Sequence, residues 1–292
     1  MNIPLDVIRL IASYLVKPKM KLLDWIPFDK IEWNDLSSNP NAIHLLEQNI
    51  CKINWRWLSG NPNAIHLLEQ NIDKINWNHL SSNPNAIHLI EHNMDKINWY
   101  MLSKIQNAIH LLEKNMDKIN WKLLSSNPYA VHLLEQNMDK ISWHRFSSNP
   151  NSNAIYLLEQ NMDMIDWYML SKNPNAIHLL EQNMDMIYWD NLSQNPNAIH
   201  LLEKNIDKIN DIGWLELSSN PNAIHLLQEN MDKINWNRLS SNPNAINLLE
   251  QNMDKIDWKY LSTNPNIFEI DKKQLKIDIA EQAKIIDGII YE

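Results

Sequence analysis

Histidine recurs at one position of a periodic sequence: His44, His66, His88, His110, His132, His178, His200 and His225, with Tyr156 and Asn247 standing in at two copies. Imidazoles in such a row offer two chemistries, ligation of a divalent metal and protonation near neutral pH. A metal needs several ligands converging on one ion, and a regular row spaced one helix apart does not converge by itself. No cysteine joins the row. The favoured reading is a solvated or hydrogen-bonded ladder, with no metal and no cofactor. Ser, His and Asp recur in every copy, whereas an active site is singular, and three glycines cannot furnish a phosphate-binding loop. The chain is therefore expected not to be an enzyme.

A second set of residues varies where the rest of each copy is nearly fixed. The pair after each repeated Trp reads Arg56-Trp57, Asn78-His79, Tyr100-Met101, Lys122-Leu123, His144-Arg145, Tyr168-Met169, Asp190-Asn191, Leu215-Glu216, Asn237-Arg238 and Lys259-Tyr260. A constant frame with a varying exposed pair suits a scaffold that reads one protein partner. Trp, Tyr, Met and Arg are also enriched at interface centres. The candidate partner-binding residues are Trp57, His79, Tyr100, Met101, Lys122, Arg145, Tyr168, Met169, Arg238 and Tyr260. Neutral drift at unconstrained surface positions is the competing explanation.

The elements that carry these residues follow from the period. Trp33, Trp55, Trp77, Trp99, Trp121, Trp143, Trp167, Trp189, Trp214, Trp236 and Trp258 are 22 residues apart, except for steps of 24 into Trp167 and 25 into Trp214. Fixed self-similarity at this length marks an array of stacked units. In one copy, Asn83 reads as an N-cap, Pro84 as the first helical residue, and Asn85 to His92 as a helix with Ala86, Ile87, Leu89 and Ile90 inward. Asn93 is expected to end it in a left-handed conformation. Met94 reads as a buried loop residue. Asn98 caps a short second helix in which Trp99 and Leu102 face inward, leaving Tyr100 and Met101 outward. The Asn rows are read as structural, bonding backbone groups in every copy. So short a unit cannot hide its own apolar face, and stacking on neighbours supplies the core. The expected fold is an all-α solenoid of about 11–12 two-helix repeats, on the order of 100 Å along its arc, with N- and C-terminal capping helices. A leucine-rich-repeat-like α/β solenoid is the alternative, although Ile97-x-Trp99-x-x-Leu102 breaks its strand alternation.

Along the chain, residues 1–38 form an N-terminal cap, a helix plus a degenerate copy; 39–263 the array; and 264–292 a C-terminal capping helix. Leu275, Ile277, Ile279, Ala280, Ala283, Ile286 and Ile290 form the packing side of that last helix. A formal charge of −9 disfavours nucleic acid, and no run of 18 apolar residues offers a membrane span. The N-terminus does not read as a signal peptide. The one cysteine, Cys51, excludes an internal disulfide and stands where other copies have Asp. A cytoplasmic, intracellular protein is expected.

Ile3-Pro4-Leu5-Asp6-Val7-Ile8-x-x-Ile11-x-Ser13-Tyr14-Leu15, followed by Pro18-Lys19-Met20-Lys21-Leu22-Leu23, resembles the first two helices of an F-box. That resemblance implies docking of a Skp-type adaptor of a cullin ubiquitin ligase through Pro4, Leu5, Val7, Ile8, Ile11 and Leu15. It spans about 25 residues, and repeat sequence replaces the third F-box segment. The Asn-Pro-Asn-Ala-Ile and Ile-Asn-Trp copies resemble short repeats of large DNA viruses of protists, which implies residence in an infected host cell. Three functions are consistent with these features: a monomeric, non-enzymatic protein-interaction scaffold, an F-box-like substrate receptor, and a structural or virion component.

Overall fold

The computed structural model describes residues 3–291, with the side chains of 290 and 291 excepted, so Ile290 lies outside the described side chains. Each unit is built from three short pieces. In one copy they are a leading helix, Ile65–Glu69, a 3-10 corner, Ile72–Lys74, and a Trp helix, Trp77–Leu80. Helices of one turn have almost no stability of their own. Burial of Ala64, Leu68, Ile75 and Leu80 against neighbouring units holds them in place.

The leading helix is shorter than its sequence suggests. Asn61 accepts from the N–H of Asn63 at 3.1 Å and so starts a turn through Pro62, and the helix begins only at Ile65. No described residue outside glycine has a positive φ. Asn71 therefore does not end the helix in a left-handed conformation; it stays at φ −138° and its amide donates to the carbonyl of Leu67 at 2.9 Å. That bond satisfies a terminal carbonyl without a left-handed residue. The cap on the second helix matches expectation: the Asn98 carboxamide oxygen accepts from the N–H groups of Tyr100 and Met101.

Four hydrogen bonds join a typical unit to the one before. The Asn61 amide donates to the carbonyls of Ser37 and Asn39 at 3.1 and 2.9 Å. Asn63 donates to the Pro40 carbonyl at 2.9 Å. The Ser37 hydroxyl accepts from the Asn54 N–H at 2.9 Å. The same four bonds then join the first unit to the last. Asn39 donates to the carbonyls of Ser262 and Asn264 at 3.1 and 2.8 Å. Asn41 donates to the Pro265 carbonyl at 2.9 Å, and the Ser262 hydroxyl accepts from the Glu32 N–H at 2.9 Å. The array is a closed ring of eleven Trp helices. At a helix spacing of about 9 Å its mean diameter is about 30 Å.

Ten leading helices fill ten of the eleven positions. The eleventh is filled by the ring's only strands among the described residues, β1 (Met20–Leu22) and β2 (Phe268–Ile270), paired antiparallel with Met20 opposite Ile270. Lys21 bridges Asp24 and Glu269 across this pair at 2.9 and 3.0 Å. The leucine-rich-repeat alternative is therefore not the architecture. Residues 18–23, expected as the second helix of an F-box-like segment, contain a strand because the last unit offers an edge to pair with.

The terminal helices do not cap open ends, because a ring has none. The N-terminal helix, Leu5–Leu15, packs Ile8 and Ala12 against Ala283, Ile279 and Ile286 of the C-terminal helix, Lys272–Tyr291. Together they form a two-helix arm at the seam.

Several neighbouring Trp helices lie in close contact, among them Trp55–Ser59 with Trp77–Leu80 and, across the seam, Trp33–Leu36 with Trp258–Thr263, whereas neighbouring leading helices stand further apart. Closing a ring brings its inner members closest, so the Trp helices lie on the concave side and the leading helices on the convex side. Small buried residues, Ser59 and Asn61 in one copy, allow the close inner approach. The two insertions are absorbed locally. Ser152–Glu159 is a longer leading helix, and Asp211–Leu217 a longer Trp helix. In the latter, a Cβ on Gly213 would meet Ile209 Cγ2 at 2.8 Å and the Ser193 hydroxyl at 3.1 Å, so only glycine allows that approach.

Asn83→Ala leaves the carbonyls of Ser59 and Asn61 and the N–H of Asn85 without their partners in a buried layer. It is expected to lower stability by about 2–3 kcal/mol, read from urea unfolding followed by circular dichroism.

Candidate functional site: the exposed columns of the ring

The histidine row is a ladder of His–Glu contacts between neighbouring units. His66, His88, His110, His132, His178, His200 and His225 each meet a glutamate of the preceding unit, at 2.5–3.0 Å: Glu47, Glu69, Glu91, Glu113, Glu159, Glu181 and Glu203. His44, at the seam, meets Gln48 and its own Glu47 instead. Among the described residues no three His, Cys, Asp or Glu side chains converge as a metal site would require. The pairs are half-exposed, and each contributes little alone.

A second column runs beside it. Lys52 lies over the Trp33 ring at 4.4 Å, and Lys74, Lys96, Lys118 and Lys140 lie over Trp55, Trp77, Trp99 and Trp121 at 4.6–4.9 Å. Lys255 repeats the contact on Trp236. The tryptophans, expected as core, are half-buried lids in most units, and only Trp214 is buried. The corner methionines also differ from expectation. Met116, Met138, Met162 and Met184 are exposed, because the buried residue of each corner is the isoleucine three positions on, such as Ile119.

Between Trp121 and Trp236 the stacking lapses: Lys208 and Lys233 meet Asp207 and Asp232 instead, and at two consecutive units the lysine itself is replaced. Met164 and Met186 occupy the positions that would face Trp143 and Trp167, and both are about two-fifths exposed. In the same sector Tyr168 and Tyr188 are exposed and meet edge to face, with ring centroids 5.5 Å apart. Tyr188 replaces the usual capping Asn. Asp163 and Asp185 are exposed alongside. Two adjacent units thus exchange a cation for a thioether and present aromatic and carboxylate groups. Sequence reading named Tyr168 but missed Met164, Met186 and Tyr188. The signal was present in Asp-Met-Ile where other copies read Asp-Lys-Ile.

The varying pairs do not form one wall. Most of their first members, such as Tyr100, Lys122 and Tyr168, are exposed, whereas Asp190 and Leu215 are half-buried. The second members turn toward the neighbouring unit in several copies: Met169, proposed as a contact residue, is buried, as are Leu123 and Asn191. A one-turn helix leaves its third residue at the unit boundary, where the next unit covers it. Trp57 remains exposed and meets the His79 ring at 5.3 Å. Met101 and Arg145 are half-buried, and the Arg145 Nε has no hydrogen-bond partner. Arg238 and Tyr260 are exposed on separate units near the seam. Of the N-terminal set, Pro4, Leu5, Val7, Ile11 and Leu15 are exposed, whereas Ile8 is buried under the C-terminal helix.

A cleft of about 500 Å³ lies at the seam, lined by Lys17, Lys19, Asn41, His44, Glu47 and His66 among others. Lys19 is engaged by Asp278 at 3.2 Å, and the Gln274 amide, with Lys19, holds that carboxyl below its usual range. No lining residue is Ser, Thr or Cys. Cys51 is exposed, and no helix among the described residues is long and apolar enough to cross a membrane.

Fold and surface together define a closed ring of helical repeats with a constant frame and one divergent sector. No protein-family model matches the chain, and no curated protein or solved structure does.

Burial, and secondarily the Arg56 guanidinium, lowers the pKa of His79 from 6.5. The unfolded chain then binds this proton more readily than the folded one, so stability falls as pH drops through 6.5 toward the folded value. His79→Gln is expected to reduce the loss of melting temperature between pH 7.5 and a pH about one unit below the free imidazole value, 6.5. An unchanged pH slope in the variant counts against this assignment.

Proposed function

We propose that the chain is a non-enzymatic protein-interaction scaffold whose docking surface is the sector of Met164, Met186, Tyr168 and Tyr188. The observation that carries this reading is the replacement of Lys by the exposed Met164 and Met186 at two consecutive units beside an exposed tyrosine pair. A break by drift would leave scattered, unrelated substitutions. Here the lost cations, the gained thioethers and the tyrosine pair fall together on one patch. Methionine supplies an adaptable apolar surface, and tyrosine a rigid one with a polar tip. The exposed Asp163 and Asp185 favour a partner segment with basic residues beside apolar ones.

An adaptor-docking reading rests on a different element. Val7, Leu10, Ile11, Tyr14 and Leu15 expose apolar surface on the N-terminal helix, as an F-box-like helix facing a Skp-type adaptor would. The strand at Met20–Leu22 departs from the helical pattern of that family. For a structural or virion role, a closed ring leaves no array end for head-to-tail growth.

The test compares the intact chain with Met164→Lys/Met186→Lys, which restores the repeat consensus and should leave the fold intact. Affinity purification from a eukaryotic extract is expected to recover a stoichiometric protein with the wild type and to lose it with the variant. Equal recovery by both chains contradicts the assigned surface. Recovery of a Skp adaptor and a cullin by both transfers the function to the N-terminal helix.

A further inference from the structure

The two corners that lose a lysine gain a pair of sulfurs each. They read Met162-Asp163-Met164 and Met184-Asp185-Met186, and nowhere else in the sequence do two methionines stand two residues apart. All four are exposed, by 37–41%. A thioether is a soft ligand that selects copper(I) over hard ions.

The rest of the ring shows where such an ion would sit. In six other units the ammonium of the corner lysine stands over the preceding Trp ring at 4.4–4.9 Å. A methionine sulfur takes the place of the lysine Cδ, two bonds short of that ammonium. An ion one metal–sulfur bond beyond the sulfur therefore reaches the place of the ammonium. That place is over Trp143 at the first corner and over Trp167 at the second, where the face of the ring attracts a cation. A nitrogen ligand stands beside the first corner. Met164 and Asp166 flank the buried Ile165, whose backbone is extended at φ −67° and ψ 125°, so both side chains point away from it on the same side. There Asp166 Oδ2 meets Nδ1 of His144, the residue after Trp143, at 2.7 Å. A carboxylate on one ring nitrogen orients the imidazole and leaves the other nitrogen, Nε2, to a metal.

We propose that these corners bind a soft monovalent cation of the copper(I) class, one ion at each Met-Asp-Met pair, with His144 as a further ligand at the first. The exposed Asp163 and Asp185 offset the added charge. The inference does not rest on the docking reading, because it requires Met162 and Met184, which that surface does not use.

Silver(I), a soft ion of the same charge that needs no reductant, is the probe. Silver nitrate is titrated calorimetrically, in chloride-free buffer, into the full chain carrying Cys51→Asp. That change restores the residue of other copies and removes the one thiol. Two ions per chain are expected to bind in the micromolar range or tighter. On this background Met164→Lys/Met186→Lys restores the consensus lysines, and Met162→Ile/Met184→Ile places the isoleucine of other copies at the corner. Each should weaken binding by roughly tenfold or more, because one thioether of each pair is lost. His144→Asn, which matches Asn78 and Asn237, should weaken one of the two sites and spare the other. Binding no tighter than that of Met164→Lys/Met186→Lys overturns the proposal, since the silver would then sit on the histidine ladder. So does full-strength binding by Met162→Ile/Met184→Ile. That second variant keeps Met164, Met186, Tyr168 and Tyr188, so it should still recover the protein partner, and the two readings fail separately.

Discussion

One buried carboxamide per unit sets the geometry of this protein. Asn61 and its counterparts are nearly or fully buried, and each needs two acceptors for its amide protons. Those acceptors are carbonyls of the preceding unit's Ser and Asn, at 2.8–3.1 Å around the ring. Asn39 belongs to the first unit that carries this residue, and it is fully buried too. The acceptors it finds are on the last unit, so the requirement that extends the array also closes it. Ile105 shows what the rule tolerates. An apolar side chain there has no amide to satisfy, and Asn127 keeps one acceptor, the Ser103 carbonyl, at 3.1 Å.

Much of the unit was legible in the sequence. The period, the Asn98 cap, the inward Leu102 and the structural role of the Asn rows all follow from residue types at fixed spacing. Closure was not legible. It depends on an average turn of about 33° per unit, and a few degrees either way, summed over eleven units, would give an open superhelix. That angle comes from how Ser and Asn on the inner side and Leu and Ile on the outer side fill a wedge, which periodicity does not encode. The strand pair was equally hidden, since Met20 finds its partner at Ile270.

The candidate surface was half legible. The varying pairs drew attention to the Trp helices, and Tyr168 and Trp57 are exposed as expected. Met169 and Leu123 are not, because a helix of one turn sets its third residue against the next unit. The divergent sector was visible instead as a departure from consensus at Met164 and Met186. In a chain whose copies are nearly identical, a coordinated departure carries more information than variability by itself.

The central claim is the closed ring, and Asn39 tests it most directly. Its N–H groups donate only to the carbonyls of Ser262 and Asn264, across the seam, while its oxygen accepts from the Asn41 N–H of its own unit. Urea unfolding of Asn39→Ala, at a concentration where wild type and variant have equal mass, measures what the seam contributes. A closed ring predicts a loss of about 2–3 kcal/mol, the cost of stranding two buried carbonyls. An open array would expose Asn39 at its free end and lose only its bond to the Asn41 N–H, so a loss below about 1 kcal/mol would contradict the account.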